Sequence, residues 1–179
     1  MPRVQPINQT ELPPAVKIAI ERHIEDYNIV FSNTQATLSH SLLSYEVYMQ
    51  VYPLYESVVQ ILGDRIACLY ALAISNASSC LLCASCFRKK LNQMGWDKEC
   101  LPLSDGQKAL LNFATSLTKH HGNINDHVYN SVAKSYSQAE MVILIAFAGQ
   151  MVATTIFNNV AETEIDDHLS DYVPSVTQW

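Results

Sequence analysis

Three of the five cysteines of this chain are spaced three residues apart in the stretch S-N-A-S-S-C-L-L-C-A-S-C-F-R-K-K-L-N-Q-M-G, residues 75–95. Side chains at positions i and i+3 lie one above the other on a helix, so Cys83 can contact either Cys80 or Cys86. The stretch opens with residue types that commonly cap helices and ends at Gly95, a typical helix stop. It therefore predicts one helix that starts just before Cys80, capped by Asn76, Ser78 or Ser79.

The position and spacing of the first two cysteines favour redox chemistry. Cys80 falls in the first turn of the predicted helix, where unpaired backbone N–H groups and the helix dipole favour a thiolate over a thiol. A C-x-x-C pair at a helix N-terminus is typical of a redox dithiol, and we interpret Cys80 and Cys83 in this way. Cys86 is better interpreted as a small residue packed in the core. Structural zinc needs four ligands, and no second C-x-x-C or H-x-x-x-H completes such a site, so we expect neither metal nor cofactor.

A second helix is predicted directly before the cysteine helix. Residues 65–76 are strongly apolar, and Asp64 caps or opens them. Because only a few residues separate the two helices, we expect a tight antiparallel hairpin. Cys68, twelve positions before Cys80, is then expected to face the first turns of the cysteine helix, with Asp64 one turn further away on the same face.

The composition predicts an all-α chain of one domain. The 179 residues are 49% hydrophobic with only five glycines, and their long Ala, Leu, Ile, Met, Gln and Ser runs show few of the alternations typical of strands. We assign residues 1–179 to one helical bundle with a polar arm at 1–11 and a tail at 170–179. Outside the hairpin, helices are predicted from Leu12-Pro13-Pro14 to about Tyr27, after Ser32 or Asn33, from Ser41 with a bend near Pro53, from Ser104 to Gly122, from Asn125 or Asp126 to Tyr136, and after Ser137.

The helix after Ser137 contains the longest apolar run of the chain, residues 141–157. Gln150, Thr154 and Thr155 interrupt the run, and it is shorter than the roughly 20 residues that a bilayer span needs, so we predict a buried helix. Because it is apolar on nearly all sides, we expect it to be covered on both sides, with a second subunit as a candidate for one of them.

Two further patterns are assigned structural roles. Tyr45, Tyr48, Tyr52 and Tyr55 recur at helical spacing, and such a stripe is more typical of a core or a subunit contact than of a ligand site. His120 and His121 end a predicted helix, where histidines commonly interact with the helix dipole and the last carbonyl groups.

The net charge of the chain limits the classes of partner that the protein is expected to bind. A net charge of −6 and a pI near 5.4 argue against a nucleic-acid partner, which would need a basic face, and against a membrane-surface protein. The N-terminus lacks the apolar core of a signal peptide, so we expect a cytoplasmic location. Thiols are kept reduced there, which favours catalytic or metal-binding roles for clustered cysteines over structural disulfides.

From about Leu12 to Leu169 the order of elements resembles the carboxymuconolactone decarboxylase and alkylhydroperoxidase D-like family. The stretch F-S-N-T-Q-A-T-L-S-H-S-L-L is similar to the family's N-x-x-R-A-L-A-H-S-P. R-I-A-C-L-Y-A-L-A-I-S-N-A-S-S-C-L-L-C resembles its central R-E-L-V-x-L-x-V-A…C-x-Y-C, and S-D-G-Q-K-A-L-L-N-F-A-T-S-L-T resembles the helix that follows. T-T-I-F-N-N-V-A is similar to the closing N-R-x-N-N-A. The resemblance implies an all-helical fold that assembles as a trimer or hexamer.

In the peroxidase branch of this family the working motif is a glutamate, a C-x-x-C twelve residues later, and a histidine four residues after the second cysteine. The cysteines match Cys80 and Cys83, whereas the glutamate position holds Cys68 and the histidine position holds Phe87. Both proton-handling residues of the family's relay are therefore absent. On sequence grounds Asp64 is the nearest substitute base and His40 a more distant one, and a positioned base is typically worth about 10²- to 10⁴-fold in rate.

The resemblance implies a thiol-dependent peroxidase. One of Cys80 and Cys83 would attack the peroxide, the other would resolve the sulfenic acid to a disulfide, and a dithiol protein or small thiol would reduce it. Which sulfur attacks first stays open, and Cys68 is either an extra resolving thiol or a packing residue. Two alternatives also stay open: a decarboxylase-type lyase acting on a small lactone acid, and a non-catalytic oligomeric relative that has lost the relay.

Overall fold

The computed structural model describes residues 1–95 and 102–174, and within these ranges the chain forms helices and no strand. The predicted all-α class is confirmed. Cys100, the fifth cysteine, lies outside the described residues. The α-helices are α1 (Pro14–Tyr27), α2 (Asn33–Leu38), α3 (Leu42–Met49), α4 (Val51–Leu62), α5 (Asp64–Ala77), α6 (Leu81–Gln93), α7 (Asp105–Lys119), α8 (Asp126–Ala133) and α9 (Gln138–Ala161), with short 3₁₀ helices at Gln9–Glu11 and Asp167–Tyr172.

Local capping chemistry sets the start of three helices where the sequence predicts it. Ser32, Ser104 and Ser137 precede α2, α7 and α9, and each side chain accepts a backbone N–H from three residues further on. In each case the side-chain oxygen of that third residue accepts a hydrogen bond from the backbone N–H of the serine. These reciprocal bonds satisfy donors that the first helical turn leaves unpaired.

Several helix boundaries lie a few residues from the predicted positions. The break between α3 and α4, predicted near Pro53, falls at Gln50, because Pro53 lies in the first turn of α4, where its missing N–H removes no helical hydrogen bond. The helix predicted to reach Tyr136 ends at Ala133.

The predicted hairpin of α5 and α6 is at the centre of the fold. Helix α5 packs against α6 and also against α4, α7 and α9, so it is covered on most sides. Its Tyr70 is fully buried, and the tyrosine hydroxyl donates a hydrogen bond to the carbonyl oxygen of Leu144 on α9 (3.2 Å). The main apolar core forms around this helix, and a smaller apolar cluster joins α1 to α3.

The tyrosine stripe of α3 and α4 is part of the protein interior. The Tyr45 ring lies edge-on to His23 with ring centroids 5.5 Å apart, and Tyr55 lies 5.6 Å from Phe147. Tyr48 and Tyr52 contact rings on α9 and α1 in the same way. The core interpretation is confirmed for the fully buried Tyr45, whereas the other three tyrosines are half-buried at the edge of the core.

Helix α9 is buried on one face only. Its 24 residues are long and apolar enough to cross a membrane by length and composition, and 33% of its most apolar 18-residue window is buried in the fold. The buried face packs on α4, α5 and α7, as in a core helix. The chain by itself covers one side of α9, and cover of the other side by a second subunit stays a prediction. An outer stripe of small and branched apolar residues remains accessible on that side: Val142, Ile145, Ala146, Gly149, Ile156 and Val160.

We predict that Ile74→Ala lowers the free energy of unfolding by about 2–5 kcal/mol, because the Ile74 side chain is 0% exposed inside the hairpin core and its removal leaves a cavity. Urea unfolding followed by circular dichroism measures this difference. Ile18→Ala is the matched control, since Ile18 on α1 is 67% exposed and its truncation is expected to change stability by less than about 0.5 kcal/mol. Equal effects of the two substitutions would contradict the position of α5 in the core.

Candidate active site

The two sulfurs of the C-x-x-C lie where the chain reverses between α5 and α6. Helix α5 runs on to Ala77, and Ser79 then adopts a left-handed backbone conformation (φ 52°). The Cys80 N–H bonds back to the Ser75 carbonyl (3.0 Å), which closes the reversal. Cys80 has extended backbone angles (φ −94°, ψ 99°) and is itself the N-cap of α6.

The N-cap prediction for Asn76, Ser78 and Ser79 is thus wrong. These residues are used by the end of α5 and by the turn, so the following helix starts later than their residue types suggest. A cysteine takes the capping role that serine or aspartate usually has, since the Cys80 sulfur accepts the backbone N–H of Cys83 at 3.5 Å.

The N-cap position separates Cys80 from the other cysteines of the row. Two side chains at i and i+3 inside a regular helix have Cβ atoms about 5–6 Å apart. A disulfide needs about 3.5–4.5 Å between those atoms. Cys83 and Cys86 are both inside α6, whereas the non-helical Cys80 turns its side chain over the first turn, and the thiols of Cys80 and Cys83 hydrogen-bond to each other. Of the three cysteines in the row, Cys80 and Cys83 are therefore the pair that the chain brings together.

Hydrogen bonding makes the two thiols unequal. The Cys83 thiol donates to the Cys80 sulfur, and backbone N–H groups of Cys83 and Leu82 add to this bond, so the pKa of Cys80 is lowered although burial opposes the shift. The pKa of Cys83 is raised well above its ordinary value, because its proton is held by Cys80 and its side chain is buried. The arrangement favours a thiolate on Cys80 beside a protonated Cys83.

A buried asparagine contacts this pair from α9. The Asn158 side-chain amide donates a hydrogen bond to the Cys83 sulfur (3.5 Å), and its carbonyl oxygen accepts one from the Thr34 hydroxyl (2.9 Å). Asn158 is 3% exposed and Thr34 is 8% exposed. Sequence reasoning missed both residues. Each lies within a stretch that carries the family resemblance, but neither belongs to a recognised catalytic motif.

A pocket of about 330 Å³ opens to solvent on one side and reaches Cys80. Cys80 is only 1% exposed, so the floor of the pocket has to widen slightly before a substrate atom can touch the sulfur. Arg3 forms an ion pair with Glu162 on the rim (2.8 Å). The pocket is lined by apolar residues near the sulfur and by polar and acidic residues from the end of α9 onward: Ser79, Cys80, Leu81, Leu82, Asn158, Asn159, Glu162, Thr163, Glu164 and Ile165.

Cys68 and Cys86 form no part of this pair. The Cys68 thiol is fully buried and donates to the Phe87 carbonyl (3.3 Å), about two turns along α6 from Cys80, and burial raises the pKa of Cys68 to about 12. Cys68 therefore faces the middle of α6 and not its first turn, which contradicts the predicted placement. Burial also raises the pKa of Cys86, but its side chain is half-buried, so it lies at the edge of the core rather than inside it.

The structure does not bring either predicted substitute base to the pair. Asp64 is the first residue of α5, about 20 Å of helix axis from Ala77, where the chain turns toward Cys80. A carboxylate at that distance cannot take a proton from Cys80 directly. The exposed His40 ring bonds to the carbonyl oxygen of Gln5 (2.8 Å) and fastens the N-terminal arm.

Comparison with known proteins supports the fold assignment. No protein-family model and no curated protein matches the sequence. The crystal structure of the debrominase Bmp8 without ligand is 12% identical and covers 94% of this chain and 95% of its own, with a TM-score of 0.76. A cysteine-to-alanine variant of Bmp8 in complex with 2,3,4-tribromopyrrole matches at 13% identity, 94% coverage of each chain and the same TM-score.

The third similar structure is an alkylhydroperoxidase AhpD core, an uncharacterized peroxidase-related protein from Ralstonia eutropha JMP134. It is 17% identical, covers 97% of this chain and 98% of its own, and has a TM-score of 0.68. At such identities the shared property is the fold. The chain has the alkylhydroperoxidase D-like helical fold, as the resemblance predicted.

We predict that iodoacetamide alkylates Cys80 with a pH midpoint below the ordinary thiol value of about 8.5, because the pKa of Cys80 is lowered. Cys83→Ala removes the thiol donor and should move the midpoint to higher pH. Cys83→Ser keeps a hydroxyl donor and should lie closer to wild type. Peptide mass spectrometry across a pH series measures the rate at Cys80, and an unshifted midpoint in Cys83→Ala would contradict the hydrogen-bonded pair.

Proposed function

We propose that the protein is a thiol-dependent oxidoreductase that reduces peroxides with Cys80 and Cys83. One observation carries the proposal: Cys80 accepts hydrogen bonds from Cys83 at a helix N-terminus, at the floor of a pocket that opens to solvent. A nucleophilic thiolate, a second thiol within reach and an entry path are the requirements of dithiol chemistry.

The assignment of roles follows from which sulfur lines the pocket. Cys80 does so, so its thiolate attacks the distal oxygen of a hydroperoxide, the O–O bond breaks, and the sulfur becomes a sulfenic acid. The leaving alkoxide takes a proton and departs as an alcohol. Cys83 then attacks the oxidised sulfur, an S–S bond forms, and hydroxide leaves as water with the Cys83 proton. Two electrons pass from the sulfurs to the peroxide, and an external dithiol or thiol must return them.

The pocket favours an uncharged organic hydroperoxide. Its volume of about 330 Å³ and its apolar side chains Leu81, Leu82 and Ile165 suit an organic group better than hydrogen peroxide alone. Glu164 on the rim would repel a substrate carboxylate, whereas Arg3 offsets the charge of Glu162. This charge also disfavours the alternative lyase, whose lactone-acid substrate is an anion.

A reductive dehalogenase is the second candidate function. The similarity to debrominase structures suggests this function. The apolar pocket that reaches Cys80 is large enough for a small halogenated ring. In that reaction the Cys80 thiolate would take bromine from carbon, and the carbon would take a proton. Cys83 would then displace bromide as the S–S bond forms. Both reactions transfer two electrons from the thiol pair to the substrate, so only the substrate that is turned over distinguishes the two activities.

We predict that the protein consumes cumene hydroperoxide in the presence of dithiothreitol, faster than dithiothreitol alone. Cys80→Ser should abolish the reaction because the nucleophile is lost. Cys83→Ser should still form one equivalent of sulfenic acid without a disulfide, measured by dimedone labelling and mass spectrometry. Cys86→Ser is the matched control on the same helix and should keep the wild-type rate.

The outcomes separate the candidates. Activity that survives in Cys80→Ser would contradict the proposal. Bromide release from 2,3,4-tribromopyrrole without peroxide turnover would support the dehalogenase, and turnover of neither would support the non-catalytic oligomeric relative. Turnover of a lactone acid that persists after thiol alkylation would support the lyase.

We also propose that the protein acts as a homo-oligomer assembled through the outer stripe of α9. Five residues of this stripe and the half-buried Ala153 follow one another at alternating steps of four and three residues, which is the repeat that helices use to pack together: Val142, Ala146, Gly149, Ala153, Ile156 and Val160. The stripe is apolar along the whole helix, and such a surface is commonly covered by a partner.

Ile156→Glu is expected to lower the oligomeric state, because it places a charge in this stripe at a residue that is 57% exposed in the single chain. Ile18→Glu is the matched control, with the same residue type at 67% exposure on α1. Sedimentation velocity of the two variants and wild type gives the result and distinguishes a trimer from a hexamer. A monomeric wild type, or equal dissociation by both substitutions, would contradict assembly through α9.

A further inference from the structure

We infer that Asn158 is a catalytic residue that stabilises negative charge on the sulfur pair, and that Thr34 positions it. This inference rests on the proposed dithiol function of Cys80 and Cys83. The Asn158 amide nitrogen donates to the Cys83 sulfur at 3.5 Å, and the Thr34 hydroxyl donates to the Asn158 oxygen at 2.9 Å. The asparagine also lines the substrate pocket, so it lies between the pocket and the buried sulfur.

An amide in this position supplies hydrogen-bond donors and cannot act as a base. Its N–H groups stabilise a thiolate through a charge-assisted bond, in a site from which water is largely excluded. Negative charge develops on sulfur when Cys80 ionises, and again on whichever sulfur leaves when the disulfide is reduced. Asn158 therefore assists by holding charge, while the glutamate and histidine of the family's relay handle protons.

The orientation of the amide decides the sign of its effect. With its nitrogen toward the sulfur the side chain attracts a thiolate, but with its oxygen there it would repel one. In the structure the Thr34 hydroxyl donates to the oxygen, and the amide has the attractive orientation. Thr34 lies in the first turn of α2. The buried Asp166 carboxylate accepts the N–H of the preceding Asn33 at 2.7 Å, and this bond anchors that turn.

Other charged or titratable groups face the pair less directly. Cys86 follows Cys83 on α6 and carries no positive charge. Asp166 follows α9 in the chain, and its negative charge raises the pKa of Cys86. On the rim, Glu162 is paired with Arg3, and Glu164 is exposed. None of these groups is a buried donor to sulfur, so Asn158 is the described side chain other than cysteine that has this contact with the pair.

The pH dependence of Cys80 alkylation by iodoacetamide tests the role of Asn158. In Asn158→Ala the midpoint is expected to move to higher pH, and the rate at pH 7 to fall about 10- to 100-fold, because a hydrogen bond from the Asn158 amide also lowers the pKa of Cys80 and the variant loses it. Asn158→Asp keeps the shape but adds a carboxylate, so its midpoint should rise further. Wild-type midpoints in both variants would overturn the inference.

Thr34→Val tests the positioning role, since valine keeps the volume and loses the hydroxyl. We expect the midpoint for Cys80 to move to higher pH, and Thr34→Ser to restore it because serine keeps the donor. Thr155→Val is the matched control, since Thr155 is also buried but its hydroxyl bonds only to Val152 within α9 (2.8 Å). An unshifted midpoint in Thr34→Val, or an equal shift in Thr155→Val, would overturn the role of Thr34.

These measurements separate the inference from the proposed function. Alkylation needs no peroxide, reductant or turnover, so the shifts can appear in a protein that reduces no peroxide. Conversely, turnover that depends on Cys80 together with unshifted alkylation in the Asn158 variants would keep the dithiol function and overturn the role of Asn158. Far-ultraviolet circular dichroism confirms that the nearly isosteric Asn158→Asp and Thr34→Val variants remain folded.

Discussion

The reversal of the chain at residues 78–80 is the constraint on which the rest of the site depends. A left-handed Ser79 and the bond from the Cys80 N–H to the Ser75 carbonyl place Cys80 outside the helix but directly over its first turn. Had α6 begun one turn earlier, all three cysteines would occupy regular helical positions, too far apart to join in pairs. The difference between a row of buried cysteines and a reactive pair thus comes from the backbone angles of two residues. The packing of α5 in the core fixes that turn in place.

Around this pair the protein uses hydrogen-bond donors where a relay of acid and base is expected. Cys68 and Phe87 occupy the two relay positions, and both are buried among apolar side chains. Replacing charged groups by apolar ones avoids the large free-energy cost of burying a charge near the core. Among the described residues, the groups that lower the pKa of Cys80 by hydrogen bonding are neutral: a second thiol, two backbone N–H groups and one amide. Such groups hold a thiolate without being ionised themselves.

Much of the fold could be predicted from local sequence, whereas the site could be predicted only in part. Ser32, Ser104 and Ser137 cap helices through residues three positions away, so their roles are visible in the sequence. The cap at Cys80 could not be foreseen in that way, because the end of α5 is set by packing rather than by residue type. The contact between Asn158 and Cys83 joins residues 75 positions apart, and no spacing rule connects them. The face of α9 that stays accessible also depends on the arrangement of α4, α5 and α7, which the apolar pattern alone does not contain.

The sulfur cap of α6 has a thermodynamic consequence. In the dithiol, the Cys80 sulfur carries the lone pair that accepts the Cys83 N–H, and its anionic form accepts most strongly. Forming the S–S bond turns that sulfur into a weak acceptor, so the first turn of α6 loses part of its cap, an interaction typically worth about 0.5–2 kcal/mol. The helix therefore stabilises the reduced protein over the oxidised one. For a two-electron couple about 1.4 kcal/mol corresponds to about 30 mV, so this helix end raises the reduction potential of the pair and makes its disulfide a stronger oxidant.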